Sequence, residues 1–164
     1  MSPDLTILVD SKVSPSLIKN IDQLLLEVFS FNNIVLVESI LLPHSCWDKS
    51  RHQYNASCLL SFAKSKASNE IAALIIATDA YVPGLNFVFG VAARDQGIVV
   101  STFRLENDPE FLLKEITHEL GHIFGLTHCS LPCVMTFSNS VWEARMKSNI
   151  FCEKCWDKIS QEKY

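Results

Sequence analysis

Apolar positions set the rhythm of the first hundred residues. Leu5–Val9 reads as a short buried strand. Leu17, Ile21, Leu24, Leu25 and Val28 then recur at helical spacing behind Ser14-Pro15, a helix start in which serine caps and proline fits the first turn. Ile34–Leu42 is rich in Ile, Val and Leu and predicts a second strand, ending at Pro43. Arg51–Ala67 predicts a helix with Leu59, Leu60 and Ala63 turned inward. Ile71–Thr78 is a continuous apolar run, as expected for a strand covered on both faces. A loop over Asp79–Asn86, with Pro83-Gly84, leads to short strands at Phe87–Val91 and Gly97–Thr102. This alternation predicts an α/β upper lobe with a mostly parallel five-stranded sheet.

The pattern then changes. Asn107-Asp108-Pro109-Glu110 begins a helix whose positions Phe111, Leu112, Ile116, Leu120, Ile123 and Phe124 leave little of it facing water. Yet the same helix carries His118, Glu119 and His122. A polar set on a buried helix needs a cavity or a metal to satisfy it.

His118 and His122 are four apart, so their rings share one helix face. The next turn of a helix points away along its axis, so a third ligand requires the chain to fold back. Gly125 allows that, because glycine enters the left-handed region without penalty. His128 can then close a three-histidine zinc set whose fourth position is left for water. Glu119 points about 100° around the helix from His118 and can border the metal without binding it. A zinc-bound water has a pKa near about 7, and Glu119 is placed to take its proton. HExxH alone also describes a helix with surface histidines; the glycine and third histidine favour the metal.

Beyond His128 the chain is short and irregular, and it holds four of the six cysteines. Cys129 and Cys133 form one close pair, Cys152 and Cys155 another, at spacings typical of a structural four-thiolate zinc site. Two disulfides or free thiols are the alternatives. A second zinc would fold a tail too short for its own core, and its loss should loosen His128, which precedes Cys129 directly. Met135 suits a turn beneath the histidines, and Gly121 suits close approach of another segment to the helix. Cys46, in the loop after Pro43 with His44, is expected as a loop or core-rim residue, and Cys58 as a buried thiol.

Composition narrows the setting. One domain fits 164 residues, with room for two lobes. The net charge of −4, without a basic run, argues against nucleic acid or an anionic membrane as partner. No N-terminal stretch reads as an export signal, none as an inhibitory pro-segment, and no apolar run could span a bilayer. The expectation is a cytoplasmic protein with its cysteines as thiols or metal ligands rather than disulfides.

These residues resemble a known family. HExxHxxGxxH followed by a methionine turn is the metzincin pattern, and the four cysteines around it are similar to those of the archaemetzincins. Arg51 through Ala56, Thr78-Asp79, Pro83 through Gly90 and Ser101 through Leu105 agree too. The first cysteine pair and the methionine-to-cysteine segment are slightly shorter than in the family's pattern, which touches loop geometry more than ligand identity. The resemblance implies a compact metzincin-like mixed α/β fold in a single catalytic domain, with an upper subdomain over 1–125 and a small irregular lower one over 126–164. It implies a catalytic zinc on His118, His122 and His128, with Glu119 as general base and Met135 as the turn methionine. A second zinc falls to Cys129, Cys133, Cys152 and Cys155. The edge strand, placed at Asn86–Gly90, could pair with an extended peptide substrate. A zinc-dependent peptidase is the first expectation. A non-enzymatic two-zinc module for partner binding, or a zinc hydrolase of a non-peptide amide or ester, are the alternatives.

Overall fold

A computed structural model describes residues 2–67 and 71–161. Its centre is a five-stranded sheet in the order β2-β1-β5-β8-β7. β1 (Asp4–Asp10), β2 (Asn33–Ile40), β5 (Ile71–Ile76) and β8 (Gly97–Ser101) run parallel, and β7 (Gly90–Ala93) closes one edge antiparallel to β8. A mostly parallel sheet needs helices on both faces, and alternate side chains are divided accordingly. Leu5, Ile7, Val9, Ala73, Ile75 and Val100 meet the core that includes Leu25 of α1 (Ile21–Val28) and Leu112 and Ile116 of α3 (Pro109–Ile123). Leu8, Ala72, Leu74, Ile76 and Val99 meet Leu59, Leu60 and Ala63 of α2 (Ala56–Lys66). The period of two along each strand therefore builds two apolar layers around one sheet.

Several elements depart from the sequence-based expectation. The first helical stretch breaks into a 3₁₀ turn at Pro15–Ile18 and then α1, with Asn20 in a left-handed conformation between them. α2 begins at Ala56, not Arg51, because Asn55 caps it by accepting from the Cys58 N–H. The residues before it form β4 (Gln53–Asn55), which pairs with β3 (Trp47–Asp48) and β6 (Ala80–Tyr81) in a second, small sheet. The β3–β4 hairpin turns the chain back, so Cys46 comes over the start of α2 and forms a disulfide with Cys58 across a Cα separation of 5.4 Å. This corrects the expectation of a core-rim residue and a buried thiol, since spacing along the chain did not reveal the hairpin that joins them.

The edge strand also differs, lying at Gly90–Ala93 rather than Asn86–Gly90. Arg51 donates to the carbonyls of Leu85 and Asn86, Gln53 donates to that of Asn86, and the Val88 N–H goes to Ala80 O. These bonds hold residues 85–88 off the sheet until Gly90. Finally, the tail is less irregular than expected. It contains α4 (Val141–Met146), capped by Ser140, and α5 (Glu153–Gln161).

Candidate active site

α3 carries the first two histidines because its start and stop are both specified. Asp108 caps it by accepting from the Glu110 and Phe111 N–H groups, with Pro109 in the first turn. It ends in a Schellman motif: Leu126 N–H reaches Gly121 O at 2.9 Å and Gly125 N–H reaches His122 O at 3.0 Å. Gly125 adopts φ +88°, the left-handed value that a side chain resists. The chain thereby reverses, as the spacing predicted, and His128 comes back to the helix. The three ring centroids lie 4.8, 4.9 and 5.4 Å apart.

The donor atoms of these rings fit one metal ion. His118 Nδ1 donates to Val134 O at 2.8 Å, and His122 Nδ1 donates to Leu126 O at 2.8 Å. Each bond fixes a tautomer that leaves Nε2 with a lone pair. His118 Nε2 and His122 Nε2 approach to 3.2 Å. Two nitrogens about 2.0–2.1 Å from a tetrahedral zinc lie about 3.3 Å apart, so the observed approach matches a shared ligand. All three histidines have ring nitrogens within 4.8 Å of one another. Burial, with the Lys147 ammonium next in effect, pushes the His118 imidazole down to about 3, so it remains neutral and able to ligate.

Glu119 lies beside this set and is buried at 6% exposure. Its neighbour is the edge strand: a Cβ on Gly90 would stand 2.8 Å from Glu119 Cγ and 3.0 Å from Oε1. Glycine at 90 therefore makes room for the carboxylate, a relation the sequence did not disclose. Burial above all, and then the Glu115 carboxylate, raise the Glu119 acid to about 8, while Lys147 opposes the rise. A cation at the three imidazoles would draw that proton off.

Met135 is fully buried beneath α3, and a Cβ on Gly121 would overlap its Sδ. The close approach expected at Gly121 is therefore that of the methionine.

The four tail cysteines also converge, with their sulfurs within 4.8 Å of one another. Cys129 Sγ and Cys152 Sγ are 3.8 Å apart. Thiolates about 2.3 Å from a tetrahedral zinc are separated by about 3.8 Å. The Cys152 N–H points at Cys133 Sγ, 3.3 Å away, as does the Met135 N–H, 3.4 Å away. Amides directed at sulfur favour the thiolate that a metal requires.

The histidines open onto a cleft of about 650 Å³. One side is formed by Phe87–Ala92, and the other by Phe137, Ser138, Asn139 and Lys147. Sequence reading missed Lys147 and Glu115, whose side chains are each 3% exposed and whose charges meet at 3.1 Å. Nothing in their spacing relates them, because 32 positions separate residue 115 from residue 147.

A zinc-dependent peptidase is the class of protein defined by a helix that ends, turns back and returns a third imidazole to the cleft in this setting. The model of Peptidase family M54 matches residues 12–161, and the chain belongs to that family. An archaemetzincin from Pyrobaculum aerophilum is 37% identical over 166 residues, covering 98% of this chain and 99% of its own. One from Nanoarchaeum equitans is 39% identical over 137 residues, covering 84% and 79%. The crystal structure of an archaemetzincin from Methanopyrus kandleri matches with a TM-score of 0.85 at 33% identity, covering 98% of this chain and 94% of the other. That of Archaeoglobus fulgidus, complexed with malonate, gives 0.83 at 33% identity, covering 94% and 99%. The mixed fold, with its mostly parallel five-stranded sheet, is the fold of these proteins. Membership makes this chain a zinc metallopeptidase, and its substrates are peptides or proteins.

Proposed function

We propose that His118, His122 and His128 hold a catalytic zinc, that Glu119 is the general base, and that Cys129, Cys133, Cys152 and Cys155 hold a second, structural zinc. The observation that carries this reading is the Nε2 to Nε2 approach of 3.2 Å beside a buried carboxylate. When bound, zinc supplies Lewis acidity, acidifying water and polarising a carbonyl. The protein's own residues do the rest. Val134 O and Leu126 O orient two of the imidazoles. Glu119 takes a proton from the attacking water and passes it to the leaving amine. Its burial makes it a stronger base than an exposed glutamate. The edge strand β7, beside Glu119, offers backbone groups to an extended peptide. Residues 1–125 act as the upper subdomain and 126–164 as the lower one of a single catalytic domain.

The test is Glu119→Ala with zinc measured. Hydrolysis should fall by about 10²–10⁴-fold, the usual worth of a positioned base, while zinc content stays at the wild-type value. Unchanged turnover would remove Glu119 from the role. A two-zinc module without activity gives no reason for a carboxylate buried against the histidines, and no observation favours a non-peptide amide or ester.

A further inference from the structure

The cleft has two walls, and the lower one is tied to α3 by two lysines with buried ammonium groups, Lys114 and Lys147. Phe137, Ser138 and Asn139 form this wall and run directly into α4. The Asn139 N–H donates to Glu143 Oε2 at 2.6 Å, so the wall is fastened to the helix that follows it. α4 has only six residues and buries one of them, Ala144. Its own apolar packing is too small to fix its position.

What fixes α4 is an exchange of lysines with α3. Lys114 Nζ donates to the carbonyls of Arg145 at 2.6 Å, Lys147 at 3.0 Å and Ala144 at 3.4 Å, the C-terminal oxygens of α4. Lys147, the residue that caps α4, returns its ammonium to Glu115 Oε1 at 3.1 Å. The same ammonium lies 3.3 Å from His118 Nδ1, on the side of the ring away from Nε2. It therefore packs against the face of His118 opposite the proposed metal-binding nitrogen. Glu115 Oε1 meets no other partner among the described residues, so removing the lysine strips the buried carboxylate of its principal counter-charge. Ser138 Oγ, on the cleft lining, is buried and without a hydrogen-bond partner among the described residues.

We infer that Lys147 is a positioning residue for substrate binding, which holds the Phe137–Asn139 wall against the zinc helix through Glu115. The inference rests on the proposed histidine metal site, and its test separates the two. The zinc-loaded full chain is titrated with two probes by calorimetry. Acetohydroxamate reaches only the metal. A dipeptidyl hydroxamate with a leucine side chain reaches the metal and the wall.

Lys147→Met alone leaves Glu115 unpaired and can unfold the protein, so the informative variant is Glu115→Gln/Lys147→Met, which removes both charges of the pair together. In that variant, acetohydroxamate should bind within about twofold of wild type, while the dipeptidyl probe loses at least tenfold. Lys147→Arg, which keeps the charge and can still reach Glu115, should restore most of the loss. Equal affinity of both probes for the double variant and wild type would overturn the inference, because the pair would then be structural only. Equal loss of both would overturn it too, since the metal and not the wall would have moved. Failure of acetohydroxamate to bind the wild type would sink the metal-site reading and this inference with it.

Discussion

The two proposed metal centres are built in opposite ways. The histidine site takes two ligands from one rigid helix and a third from the chain that returns to it, and it faces a cleft. The cysteine site takes all four ligands from the tail, two of them buried and two half-buried, and leaves no position open. The first is shaped for exchange of water and substrate, the second for permanence. Yet they are not independent, because a single short segment serves both. Cys133 belongs to the thiolate set, Val134 O orients His118, and Met135 packs under Gly121. His128 and Cys129 are adjacent, and the Cys129 N–H is held by Met135 O at 3.0 Å. In this reading the cysteine cluster is the frame on which His118 and His128, two of the three proposed open-site ligands, are mounted.

The strongest way to break this comparison is an asymmetric pair of variants. Cys133→Ser should cost both metals, because the segment that orients His118 and leads from His128 loses its anchor. His128→Ala should cost only the histidine-site metal. Zinc per chain, by elemental analysis, should fall from about two toward zero in the first case and to about one in the second. Retention of a full histidine site in Cys133→Ser would show the two centres to be uncoupled.

A smaller effect is expected from Gly121→Ala. The added methyl meets Met135 Sδ, and overpacking of this kind costs about 1–3 kcal/mol. Chemical denaturation should register that loss, and the chelator concentration that strips the histidine site should fall with it. A variant as stable as wild type would mean that the methionine turn yields freely.

The smallest effect is a pH slope confined to the open site. In metal-free protein Glu119 holds its proton to about 8, whereas unfolding returns it to the 4.5 of an ordinary glutamate. Folded Glu119 then binds more protons between these values; below 6.5 the depressed His118 opposes it, so stability falls as pH rises from 6.5 to about 8. Thermal melts of chelator-treated protein should show the slope, and Glu119→Gln should flatten it.

Much of this was legible in the chain. Ile71–Ile76 announced itself as a doubly covered strand because all six residues are apolar, and all six are buried. Gly125 and His128 were readable because a helix that must turn back has few residues that permit it. What escaped is what depends on distant contacts. The Cys46–Cys58 disulfide needed the β3–β4 hairpin, whose strands are only two and three residues long and show no alternation. The edge strand began later than its apolar run because Arg51 and Gln53 capture the carbonyls ahead of it. Lys147 looked like any surface lysine until Glu115 was placed across from it. The cytoplasmic expectation rested on the lack of a readable export signal, and the Cys46–Cys58 disulfide pulls against it. No helix among the described residues is long and apolar enough to cross a membrane.

Diffraction from crystals of the zinc-loaded protein at the zinc absorption edge tests the central claim most directly. The account predicts an anomalous peak equidistant from the Nε2 atoms of His118, His122 and His128, with no protein side chain in the fourth position beside Glu119, and a second peak among the four sulfurs. A histidine cluster without a peak, or one whose fourth position is filled by a side chain, would contradict it.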